Sequence, residues 1–70
     1  MEIAKKIWHD TLRDTKASSA TIVIFASISD IWKNQLNTEN IRQIQQYGNS
    51  LGFYVEVEQG NFNWLVIKNK

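Results

Sequence analysis

The stretch from Gly52 to Lys70 constrains the fold of this chain more than any other part, and it reads as a β-hairpin. Phe53, Val55 and Val57 alternate with Tyr54, Glu56 and Glu58, the period-two pattern of a half-buried strand. A Gly60-Asn61 loop of type II′ predicts Val57 opposite Trp64 and Val55 opposite Val66, with both apolar rows on one face. A three-residue loop, Gln59 to Asn61, would set Val57 against Asn63, which is the poorer match. The second strand is apolar on both faces, with Trp64 and Val66 on one and Leu65 and Ile67 on the other. That composition suits the centre of a sheet.

Upstream, residues 2–16 have the pattern of an amphipathic helix. Ile3, Ile7, Trp8 and Leu12 fall on one stripe, and Glu2, Lys5, Lys6, His9, Asp10 and Arg13 take the rest. Residues 20–26 (Ala-Thr-Ile-Val-Ile-Phe-Ala) are uncharged and rich in β-branched side chains, as in a strand buried on both faces. Ser27, Ser29 and Asp30 offer N-caps to a short helical turn over 30–36. A second helix starts at Asn37-Thr38, with Ile41, Ile44, Gly48 and Leu51 on its core stripe and Gly48-Asn49 and Gly52 as its stop.

The order is therefore helix–strand–helix–strand–strand. A right-handed crossover makes strands 20–26 and 52–58 parallel to each other. With the last strand between them, the sheet order is 1-3-2, and both helices lie on one face. The fold class is α/β (α+β), a two-layer αβαββ sandwich with a mixed three-stranded sheet, and residues 1–70 form a single domain. A domain of 70 residues buries only about 60% of its unfolded surface, so a deep cleft and a full core compete for the same atoms.

From residue 20 onward the pattern resembles the second half of the TusA/SirA-like small sulfur-carrier proteins. A strand is followed by a polar helix that ends near a Gly-aromatic pair, then by Val-Glu-Val-Glu-x-Gly-x-Phe-x-Trp-Leu-Val-Ile-Lys. The resemblance implies a two-layer fold shared with the C-terminal domain of translation initiation factor three. In that family an extra strand precedes the first helix, and a Cys-Pro pair at the start of that helix carries the sulfur. This chain has neither Cys nor Pro, so no functional residue carries over and sulfur transfer is not implied.

Several chemistries find no support. Without cysteine there is no disulfide or thiolate chemistry, and a single His with scattered carboxylates has no metal-ligand spacing. No metal and no cofactor is expected. His9, Asp10, Ser27, Ser29 and Asp30 make a Ser–His–Asp set on paper only. No nucleophile elbow surrounds either serine, and capping accounts for Ser27, Ser29 and Asp30. Glu56 and Glu58 share a strand face roughly 7 Å apart, a spacing open to acid–base work, but an open sheet face makes them solvated carboxylates. An enzyme is not expected.

What remains is binding. With the resembled family's first strand missing, strand 20–26 becomes a sheet edge without Lys, Pro or other protection, and such edges invite another chain. The uncovered face, expected to carry Tyr54, Leu65 and Ile67, is too apolar for a small sheet facing water. Trp32, in the connection after the first strand, either plugs the core or anchors a partner. The expected contacts are Ile22, Ile24, Trp32, Tyr54, Leu65 and Ile67. The expected function is a non-catalytic protein–protein interaction module, a regulator or inhibitor, with a protein target or a second copy of itself as partner. The alternative is a small RNA- or single-stranded-DNA-binding domain using Lys5, Lys6, Arg13, Tyr54 and Lys68. A net charge of +1 gives that alternative little electrostatic drive. No uncharged run is long enough to span a bilayer, and the opening residues lack a signal-peptide core. No membrane association and a cytoplasmic location are expected.

Overall fold

The computed structural model describes residues 2–13 and 23–69. Helix α1 (Glu2–Leu12) is followed by strand β1 (Val23–Ser27), a 3-10 helix (Asp30–Gln35), helix α2 (Thr38–Ser50) and strands β2 (Phe53–Glu58) and β3 (Trp64–Asn69). The expected extensions of the first helix to residue 16 and of the first strand back to residue 20 lie partly outside the described residues.

The sheet order is β1-β3-β2, with β3 antiparallel to both neighbours. β1 and β2 run the same way, but β3 separates them, so both ladders are antiparallel rather than mixed. The helices pack on one face. Ala4, Ile7 and Trp8 of α1 and Ile44 of α2 join Ala26, Val55, Leu65 and Ile67 of the sheet, with Ile28 and Leu36, in one buried cluster. α2 lies chiefly on β2 and α1, while α1 touches β1 only lightly. The stripes expected on α1 and α2 are largely the buried ones. Leu51 is the exception at 48% exposed, because it is the C-cap of α2 rather than part of the helix.

Local chemistry sets the limits of α2. The Asn37 side chain accepts from the Asn40 N–H at 2.8 Å, capping the N-terminus. Glu39 in the first turn accepts from Arg42 and Gln43. The Gln43 hydrogen bond and then the Arg42 charge hold its carboxyl below the ordinary value of 4.5. Its small contribution to stability is therefore present above that value and lost as pH falls through the lowered one. At the other end Gly52 takes φ +96°, a left-handed conformation that closes the helix at no steric cost for glycine.

The hairpin register differs from the sequence expectation by one residue. Glu58 pairs with Trp64, Val57 with Leu65 and Val55 with Ile67. Gly60 does not have the positive φ that a type II′ turn demands, since Gly52 is the one residue with positive φ among those described. The loop instead runs five residues, Gln59 to Asn63. The Asn63 carbonyl accepts from the Ile28 N–H at 2.8 Å, which ties the end of the loop to the extension of β1.

A slip of one residue moves every side chain of β3 to the other face. Leu65 and Ile67, expected on the open face, are 0% and 2% exposed beneath the helices. Trp64, expected in the core, lies on the outer face and is 37% exposed. The inner layer thus takes compact aliphatic side chains, and the amphipathic indole goes to the rim. β1 is not buried on both faces either: Ala26 is buried, but Phe25 is 64% exposed.

Candidate interaction surface

With the helices on one side, the outer face of the sheet is a three-by-three array set by the two registers. Its rows are Val23–Lys68–Tyr54, Phe25–Val66–Glu56 and Ser27–Trp64–Glu58. The β1 side is uncharged, and the β2 side carries both carboxylates. Phe25 and Tyr54 are 64% and 58% exposed, whereas Val66, flanked in register by Phe25 and Glu56, is 3% exposed. Phe25, Tyr54 and Trp64 therefore present three aromatic side chains on one open face, one from each strand. Phe25 and Trp64 were absent from the set expected from sequence. An alternation count anchored on the loop end at Asn63, rather than on Gly60-Asn61, would have found Trp64; Phe25 follows only from the β1–β3 register.

The backbone of β1 is as informative as its side chains. The Ile28–Asn63 hydrogen bond continues the β1–β3 register by one pair. Bonded and non-bonded pairs alternate along an antiparallel ladder. Ala26 and Ile24 thus make the ladder bonds to β3, and Val23, Phe25 and Ser27 direct their N–H and C=O groups away from it. Among the described residues no strand pairs with that edge. Five residues without a charge, Val-Ile-Phe-Ala-Ser, form it, and the strand itself carries no Lys, Pro or inward charge to protect it.

The remaining expected contacts fall elsewhere. Ile24 is half-buried and packs against the core, in register with Ile67, and Ile22 lies outside the described residues. Trp32 is a plug rather than an exposed anchor. It is half-buried against the core, and its indole N–H donates to Asp10 Oδ2 at 2.9 Å, tying the 3-10 helix to α1. Replacing Asp10 by alanine leaves that N–H without its charged acceptor and is expected to lower stability by about 1–2 kcal/mol. Asp10→Asn should retain most of it, as read from urea midpoints.

The other sequence candidates are dispersed. His9 Nε2 sits 3.1 Å from the Tyr47 hydroxyl, with the rings edge-to-face at 5.9 Å. Ser29 caps the 3-10 helix and Ser27 lies on the outer face, so the Ser–His–Asp set does not assemble. Lys5 and Lys6 are exposed on α1, with the Lys5 ammonium 5.7 Å from the centre of the Tyr47 ring. Arg13 is exposed at the end of that helix. Tyr54 and Lys68 are paired on the outer face of the sheet, on the opposite side of the sandwich from α1, and Glu56 and Glu58 share that face. The five nucleic-acid candidates therefore do not form one basic surface.

A groove of about 400 Å³ runs along the β2 side, lined by Gln45, Asn49, Tyr54, Glu56 and Lys68 around Val55 and Val66. It holds one carboxylate and one ammonium on an apolar floor, but no serine, threonine, cysteine or histidine to act as nucleophile or imidazole base. Among the described residues no cluster of His, Asp or Glu is placed to hold a metal ion. Nor is any helix among them long and apolar enough to cross a membrane. Comparison of the chain with protein-family models, curated proteins and solved structures finds no match.

Proposed function

We propose that the protein is a non-catalytic interaction module of the cytosol, a small regulator or inhibitor that takes another polypeptide by strand addition at β1. The observation that carries this reading is the β1 edge itself. Three residues, Val23, Phe25 and Ser27, turn their backbone donors and acceptors outward from an uncharged strand. The exposed Phe25 ring stands on the same strand. Strand addition takes affinity from main-chain hydrogen bonds and specificity from alternate side chains, and the exposed Phe25 and Trp64 supply apolar surface for them. A chain without cysteine suits a reducing compartment.

Affinity capture from an extract of the source organism, with wild type and Phe25→Lys compared at low and high salt, tests the reading. A lysine at position 25 puts a charge at the centre of the edge, the device by which natural sheets repel added strands. Phe25 is 64% exposed, so the variant should keep its fold by circular dichroism. The expected result is capture of protein that persists at high salt and is lost with Phe25→Lys. Capture that survives the substitution, or that falls steeply with salt as phosphate contacts do, would overturn it.

A further inference from the structure

We infer that the chain added at β1 is β1 of a second copy, giving a two-fold symmetric dimer whose axis passes between the two Phe25 residues. The inference rests on the strand-addition reading and names its occupant. Phe25 is the middle residue of the described strand, Val23–Ser27, and it is also one of the three residues whose backbone groups face outward. An antiparallel copy centred there sets Phe25 against Phe25 and Val23 against Ser27, and Ser27 in turn against Val23. Each of these positions has the outward parity that a bonded pair requires. All three pairs can therefore exchange both N–H···O=C bonds.

Side chains and charge agree with the same register. The two Phe25 rings become a cross-strand aromatic pair on the outer face, and Ile24 comes opposite Ala26 on the inner face. No charged residue occurs in β1, so the two-fold axis brings no like charges together. The opposite edge is less suited. β2 carries Glu56 and Glu58, which a two-fold axis would bring near their own copies, and α2 packs over it. The union is isologous and closes on itself, giving a six-stranded sheet with no free β1 edge. An edge-to-edge contact of five residues falls at the small end of specific interfaces, below roughly 1,200 Å² in total. The dimer should accordingly dissociate on dilution.

The absence of cysteine allows a direct test of the register. Phe25→Cys places two thiols on the axis, where paired Cα atoms about 5.5 Å apart suit a disulfide. Val23→Cys alone sets its two thiols about 13 Å apart along the strands, as does Ser27→Cys alone, but the two variants mixed bring unlike thiols into register. The expected result is a covalent dimer from Phe25→Cys, one from the Val23→Cys and Ser27→Cys mixture, and little from either of the latter alone. Sedimentation of the wild type should show the apparent mass rising with concentration from 8.2 kDa towards twice that value, and Phe25→Lys should hold it at the monomer. A wild type that stays monomeric at high micromolar concentration, or cross-linking equal at all three positions, would overturn the dimer. In that event, salt-resistant capture of a different protein that Phe25→Lys abolishes leaves the strand-addition reading standing. Loss of both results removes both.

Discussion

Leu65→Lys is expected to prevent folding, whereas Trp64→Lys should leave a folded domain weakened by about 1–2 kcal/mol. The two residues are adjacent and both large and apolar, so the contrast comes entirely from register. Leu65 sits on the central strand, 0% exposed, opposite Val57 on one side and Ala26 on the other. Truncating such a side chain to alanine costs about 2–5 kcal/mol through lost transfer energy and the cavity left behind. A domain of this size has on the order of 3.5–10 kcal/mol of stability in all. A lysine there loses the same packing and buries a charge with no carboxylate among the cluster residues to receive it. Trp64 lies between Ser27 and Glu58 on the outer face, where the ammonium of a lysine reaches water and approaches the Glu58 carboxylate. Had the hairpin closed on a two-residue Gly60-Asn61 turn, the outcome would be reversed. Far-UV circular dichroism and urea titration of the two variants decide between the registers. A folded Leu65→Lys beside an unfolded Trp64→Lys would reinstate the shorter loop.

That one-residue difference shows what a sequence of this kind yields and what it withholds. The alternation in residues 53–58, the doubly apolar run over 64–67 and the three-and-four spacing in the helices are properties of single segments, and they point to element type, to the central place of the last strand and to the packing of both helices on one face. Register is a relation between segments. It depended on a loop of five residues and on the Ile28–Asn63 hydrogen bond, a contact between parts of the chain 35 residues apart (63 against 28). The place of β1 as an outer strand of the sheet was legible because it follows from strand order. Which side chains share the open face was not, since Leu65 and Trp64 exchange places when the count changes by one. Phe25, hidden in the sequence within a run that reads as doubly buried, emerges as the most exposed large apolar side chain of the strands. The position of Trp32 was equally undetermined, because its indole bond to Asp10 joins two elements that no local pattern relates.

Gly48→Ala should destabilise the protein by about 1–3 kcal/mol, although alanine is the better helix former by about 1 kcal/mol. Gly48 is buried on α2 where the helix descends on β2. A methyl group there would run into Val55 Cγ2 and would meet Trp8 Cζ3 at 2.8 Å and Cη2 at 3.0 Å. Neither neighbour can move freely. Val55 is held in β2 at 7% exposure. Trp8 is wedged edge-to-face against Tyr47 at 5.8 Å and tilted against Phe53 at 6.4 Å. Relief requires α2 to lift from the sheet, which opens the part of the core that α1 and α2 share. For a domain of this size each kcal/mol corresponds to about 4–8 °C in melting temperature, so the change is readily measured by calorimetry. Gly60→Ala is the matching control: it has open space around it and no positive φ, and it should be neutral or slightly stabilising. Adding Val55→Ala to Gly48→Ala removes the first clash, and the double variant should lose less than the sum of the two single losses by about 0.5–3 kcal/mol. Strict additivity, or a Gly48→Ala protein as stable as the wild type, would mean that α2 does not approach β2 this closely. The same packing covers the β2 side of the sheet and leaves β1 the less protected edge, so a helix loosened there should melt earlier while Phe25 keeps its place at the opposite edge.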